Sequence, residues 1–157
     1  MTWKELCEDK RFQDLPFKVE LNAQGQILMS PTSNYHGSYG FRIGRLLFEH
    51  LKSGEIVVEC AVETSDGTKE VDVAWLSDAR WAQVRDDFSC KVAPEICVEV
   101  LSPSNTDAEM MRKRELYFEV GASEYWLCDR QGSLRFFGVE GELAGSRLCP
   151  QFPRSVK

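Results

Sequence analysis

The chain has 157 residues, with 19 Lys plus Arg against 25 Asp plus Glu, for a formal net charge of −6 at pH 7 with histidine neutral. With 43% hydrophobic and 11% aromatic residues, there is enough apolar material for a core, which excludes intrinsic disorder as a general description. No stretch approaches the roughly 20 consecutive apolar residues of a membrane span, and Met1-Thr2-Trp3-Lys4-Glu5-Leu6 lacks the apolar segment of a signal peptide. The expectation is a cytoplasmic protein with no membrane partner. The acidic balance argues against a protein that coats nucleic acid, yet it is compatible with a basic patch around an acidic centre.

Six cysteines are present, and no two lie two or three residues apart, which argues against a zinc site or a CxxC redox motif. Cys97 and Cys128 lie in apolar runs, where a reduced thiol behaves as a small hydrophobe. All six are expected to be reduced. No repeat, low-complexity run or long Gly/Ser/Pro linker divides the chain, so one domain over 1–157 is predicted, with its core at about 31–129.

In chain order, a short helix near Trp3 to Cys7 precedes a hairpin made of Phe17–Leu21 and Gln26–Met29, which alternate around Asn22-Ala23-Gln24-Gly25. A helix capped by Ser33 or Asn34 should run from about Tyr35 to Leu51 and stop at Gly54, because Ile43, Leu46, Leu47 and Leu51 recur at helical spacing. Strands follow at Ile56–Val62 and Val71–Trp75, joined through Ser65-Asp66-Gly67, and then a short helical stretch through Trp81 and Val84 with Asp78 as its N-cap. Ile96–Leu101 is apolar on both faces apart from one acid, as in a central, doubly covered strand. A second helix, about Asp107 to Val120, stops at Gly121 and leads to strands at Glu124–Asp129 and Leu134–Val139. Residues 141–157 carry only a weak pattern. The order helix, three strands, helix, strand describes an α/β fold with a mixed central sheet flanked by helices, plus the N-terminal hairpin.

Chemistry is sought where polar residues stand in apolar positions, because a buried charge costs several kcal/mol unless it is paired or binds metal. Glu99 interrupts the most hydrophobic strand. Asp72 lies between Val71 and Val73 in the preceding strand, where an acid on a solvated face is the simpler alternative. At about 100° per residue from Met110, Lys113 falls near 300°, inside the apolar arc that also holds Tyr117 and Val120, whereas Arg112, Glu115 and Glu119 face solvent. Lys113 is therefore either aimed at the sheet that carries Glu99 or snorkels outward from the core edge. On the first long helix His36 sits at the centre of the buried stripe, with Arg42, Arg45, Glu49 and Lys52 opposite; it either closes the helix start or serves the site. His50 shares that azimuth but lies about 21 Å along the axis, too far to join it. An Asp and a Glu on neighbouring strands with a Lys aimed at both suit a hard divalent cation beside a phosphate.

At these residues the chain resembles the Uma-type restriction endonucleases, a family within the PD-(D/E)XK nuclease superfamily. The similarity runs from about Phe12 to Gly138. It includes Gly25-Gln26-Ile27-Leu28-Met29-Ser30-Pro31 followed by His36, Val71-Asp72-Val73-Ala74, Glu99-Val100-Leu101-Ser102-Pro103-Ser104, Lys113 with Tyr117, and Glu124-Tyr125-Trp126-Leu127. The resemblance implies a restriction-endonuclease-like core with Asp72 and Glu99 as paired metal-binding acids and Val100 beside them in the metal set. The motif's lysine normally stands two residues after the second acid; Leu101 occupies that position here, and the family pattern moves the lysine into the next helix, at Lys113. His36 corresponds to an auxiliary polar residue, and Val71 replaces the proline that usually precedes the first acid. Glu95 and Glu59 are nearby acids that could assist, although an exposed strand position explains either more simply.

The function implied is a Mg²⁺-dependent DNA endonuclease, with Mn²⁺ as a substitute ion, that hydrolyses phosphodiester bonds through a metal-bound water. Asp72, Glu99, Lys113 and His36 would be its catalytic residues, and by analogy it would be a homodimer. The alternative is an inactive nuclease-fold module that binds nucleic acid or a protein partner. A hydrolase built on His36 or a cysteine lacks a Ser/Cys-His pair that the sequence can place.

Overall fold

A computed structural model describes residues 1–157. Helix α1 (Trp3–Glu8) opens with a capping box in which Thr2 and Glu5 satisfy each other's backbone amides. A 3-10 turn at Lys10–Phe12 follows. Strands β1 (Phe17–Leu21) and β2 (Ile27–Pro31) pair antiparallel as a separate two-stranded sheet. Their turn is held by Asn22 Oδ1, which accepts from the amides of Gln24 and Gln26. Helix α2 (Asn34–Leu51) is capped by Ser33, whose hydroxyl accepts from the His36 amide, and it ends on Lys52 in the left-handed conformation at φ 57°, just ahead of Gly54.

The main sheet begins with the hairpin β3 (Glu55–Thr64) and β4 (Gly67–Leu76). After helix α3 (Asp78–Val84), strand β5 (Ile96–Val100) runs antiparallel to β4, and helix α4 (Asp107–Glu119) crosses over to β6 (Glu124–Cys128), which lies parallel to β5. Strands β7 (Leu134–Gly138) and β8 (Gly141–Leu143) complete the mixed six-stranded order β3-β4-β5-β6-β7-β8. This is the α/β architecture read from the pattern, with α3 inserted between the second and third core strands.

Both faces of the sheet are covered. Ile43 and Leu47 of α2 pack with Val73, Ile96, Val98 and Trp126 on one face; Tyr117 of α4 packs with Val71, Ala74, Cys97 and Tyr125 on the other. That double cover is why β5 is buried at every position and reads as a continuous apolar run.

One local expectation is corrected, and two contacts are added that the pattern did not show. Ser77, not Asp78, caps α3: its hydroxyl accepts from the Arg80 amide, while Asp78 is the first helical residue and accepts from the Gly54 amide at 3.1 Å. Arg42 lies on the exposed face, as expected, and donates from there to the Val156 carbonyl at 2.9 Å. The weakly patterned C-terminal segment contributes β8 and buries Cys149, Phe152 and Val156 in the α2-side core, tied by backbone bonds between Leu134 and Arg154 and between Val156 and Gly132. All six cysteines are free thiols, five of them buried.

Candidate active site

The site forms where the sheet opens. Strands β4 and β5 pair only at Val73–Trp75 against Ile96–Val98. One residue further on, the ladder stops, and the Val100 amide donates instead to the Asp72 side chain, at 2.7 Å to Oδ2. On the other edge of β4 the β3 ladder skips the same residue: Val58 pairs with Val73, Cys60 pairs with Val71, and the intervening Glu59 sits at φ 53°. Asp72 thus lies at a break on both sides of its strand. Past the break β1 packs beside β4, where the Glu70 amide donates to Glu20 Oε1 at 3.0 Å. The hairpin thereby brings two charged residues to the opening.

Asp72 and Glu99 are buried and converge. Lys18 Nζ donates to Asp72 Oδ1 at 2.7 Å and lies 3.4 Å from Glu99 Oε2. Lys113 Nζ donates to Glu20 Oε1 at 2.7 Å and lies 3.4 Å from Glu99 Oε1, which also accepts from the Tyr117 hydroxyl at 2.7 Å. His36 Nε2 stands 3.2 Å from Asp72 Oδ2. Three carboxylates, two ammonium groups and an imidazole therefore share one cluster at the floor of an open cleft of about 700 Å³, one wall of which is β2 and another the first turns of α4.

The electrostatics distinguish the two acids. Burial works against ionisation of Asp72, but the Lys18 ammonium and the His36 contact outweigh it and hold the carboxyl below the usual carboxylate range. Glu99 goes the other way: its complete burial, together with the Asp72 and Glu20 charges, outweighs Lys113 and Lys18 and raises its proton affinity. Glu20 is drawn down by Lys113 and Lys18 against its own burial. Lys18 is held protonated by all three acids although burial opposes it.

The four side chains singled out from the sequence, Asp72, Glu99, Lys113 and His36, are thus brought together. Lys113 turns inward to the acids and does not snorkel. His36 both lies in the capped first turn and faces Asp72. Val100 contributes its amide, which donates to Asp72. Glu95 is elsewhere, accepting from the Ser77 amide and hydroxyl and pairing with Arg80 at 3.5 Å. Glu59 is exposed. Glu124, within the quoted motif, is buried as an anchor: its oxygens accept from the Trp126 indole, the Ser146 hydroxyl and the amides of Arg147 and Leu148. His50 packs edge-on to Phe152, away from the site.

Sequence reasoning missed Lys18 and Glu20. Their signal was the alternation of Phe17-Lys18-Val19-Glu20-Leu21, which places both on one face of β1; in the fold that face is covered, and their side chains retain only 11% and 14% exposure. Carboxylate oxygens form a hard donor set of the kind that holds Mg²⁺ or Mn²⁺. No three His, Cys, Asp or Glu side chains are preassembled around one metal-sized point, because ammonium groups are interleaved between the acids.

The Uma2 family model, described as "Putative restriction endonuclease", matches residues 9–143. No curated protein matches the sequence. Among solved structures, the fold is similar to "a putative nuclease belonging to DUF820" from Anabaena variabilis, with a TM-score of 0.74 at 15% identity, over 99% of this chain and 94% of that one. At that identity the likeness concerns the fold.

Proposed function

Given that this chain belongs to the Uma2 family, we propose that it is a DNA endonuclease, dependent on Mg²⁺ or Mn²⁺, that hydrolyses phosphodiester bonds at the Asp72–Glu99–Lys113 cluster. The observation that carries the reading is the convergence of Asp72, Glu99 and Lys113 from β4, β5 and α4 at the floor of one cleft. Apolar residues of similar volume often hold a scaffold as well as buried ion pairs or better, so a cluster of three carboxylates and two ammonium groups at the floor of a cleft supports a chemical role.

Asp72 and Glu99 are the residues that would hold the ion. When bound, it supplies a Lewis acid at the phosphoryl oxygen and acidifies water beside it. The chain does the rest. The Val100 amide and His36 fix Asp72 Oδ2, and Tyr117 fixes Glu99 Oε1, so both carboxylates are oriented before substrate arrives. Lys113, within the cluster, neutralises charge that develops on the phosphate as a water oxygen bonds to phosphorus and the P–O ester bond breaks. By analogy with nucleases that pair two sites to cut both strands of a duplex, we propose a homodimer as the active form.

Lys18 and Lys113 already neutralise the acids, and that favours a second reading, an inactive nuclease-fold module that binds nucleic acid or a protein partner. A cleavage panel separates the two. Single- and double-stranded DNA and RNA are incubated with Mg²⁺, Mn²⁺ or chelator, with the parent protein beside Glu99→Gln and Lys113→Met. The expected result is ion-dependent DNA cleavage that falls by about 10²-fold or more in either variant. Binding of nucleic acid without cleavage in any condition would leave the module reading in place.

A further inference from the structure

Two ammonium groups enter the acidic cluster, and they enter it differently. Lys113, on α4, has Glu20 as its close partner at 2.7 Å and reaches only Glu99 Oε1, the oxygen already bound by Tyr117. Lys18, on β1, lies between the two acids that come from adjacent strands of the main sheet: 2.7 Å from Asp72 Oδ1, 3.4 Å from Glu99 Oε2 and 3.8 Å from Glu20 Oε1. The oxygens it takes, Oδ1 and Oε2, are those that Val100, His36 and Tyr117 leave free. Its position is therefore that of a cation shared by Asp72 and Glu99.

We propose that Lys18 is a tethered counter-cation: in the metal-free protein its ammonium occupies the divalent-ion position between Asp72 and Glu99, and it must leave for the ion to enter. This rests on the reading of Asp72 and Glu99 as the cation ligands. The physical requirement is twofold. Without a cation, two carboxylates from neighbouring strands, with Glu20 beside them, would face one another at a buried point with Lys113 as the only ammonium, a costly arrangement. With both cations present, a divalent ion and an ammonium would compete for the same two oxygens at contact distance, where repulsion in a poorly solvated site is strong. Occupancy is exclusive. The protein is thus stable in the absence of the ion, and the ion binds with its intrinsic affinity reduced by the fraction of time Lys18 is out. Because Lys18 is carried by the β1–β2 hairpin, which also forms a wall of the cleft, its displaced ammonium remains at the cleft, where a phosphate would find it.

The test uses Mn²⁺ alone, titrated by calorimetry into the full-length parent, Lys18→Met and Glu99→Gln. The expected result is that Lys18→Met binds Mn²⁺ about tenfold tighter or more than the parent, as removing a competitor from a mostly occupied position requires, while Glu99→Gln binds at least as much weaker. Binding by the parent with equal or weaker affinity in Lys18→Met overturns the role of Lys18 and leaves the ligand assignment standing. Binding by neither overturns both. If Lys18→Met does not fold, amine labelling of the parent read by peptide mass spectrometry decides: Lys18 labelling should rise severalfold when Mg²⁺ is added while exposed Lys4 is unchanged. Unchanged Lys18 labelling under conditions where calorimetry shows Mg²⁺ binding refutes the exchange.

Discussion

Tyr117 donates its phenolic proton to Glu99 Oε1 at 2.7 Å from a side chain with no solvent exposure. Four residues earlier on α4, one helical turn, Lys113 addresses the same oxygen, so Oε1 is the anchored side of the carboxylate and Oε2 the side turned to Lys18. The helix thereby sets the orientation of an acid that it does not itself carry.

Tyr117→Phe keeps the ring and removes only that donor. The buried carboxylate loses its shortest hydrogen bond, which for a charged partner is worth about 1.5–3 kcal/mol. The expected outcome is a loss of that size in urea unfolding at neutral pH with an unchanged slope. An unchanged midpoint would show that the bond does not form.

Glu70 gives the stability a pH dependence of definite sign. Burial, supported by Glu59 and Glu20 against the opposing Lys18, pushes its carboxyl up to about 7. The unfolded chain therefore releases this proton near the ordinary carboxylate value, well before the folded one does. Stability from this group is full below that value and declines as pH rises toward 7. Glu70→Gln should leave stability at pH 4 nearly unchanged and raise it at pH 8 by up to about 3 kcal/mol relative to the parent. Denaturant melts of both proteins at the two pH values check this; parallel curves would refute it.

Gly67, the first residue of β4, lets the end of β1 approach the sheet closely. Its φ is +81°, and a Cβ there would lie 2.3 Å from the Leu21 carbonyl oxygen and 2.4 Å from that of Asn22. Gly67→Ala therefore combines a disfavoured backbone conformation with a backbone clash at the end of β1, the strand that carries Lys18 and Glu20. A loss of about 2 kcal/mol or more is expected, together with faster amide exchange in β1 than in β5. Full stability in the alanine variant would mean that β1 does not seat there.

Much of this site is legible along the chain because it breaks local rules. A glutamate in the middle of Ile96–Leu101 contradicts a run that can only be buried, and Lys113 falls at the azimuth of an apolar stripe, so each marks itself out as an exception. The periods of α2, α4 and β5 and the turn chemistry between them are equally local, and they determine the order of elements and the class of fold. Lys18 and Glu20 obey their local rule: an alternating strand reads the same whether its polar face meets water or two acids from other strands. The same holds for Phe152 and Val156, whose burial depends on α2 and Trp126 being near, not on any repeat in their own segment. Periodicity states which residues share a face; only the packing of β1 beside the broken β4–β5 ladder decides what that face meets, because the attraction between distant charges exists only once the chain has brought them together.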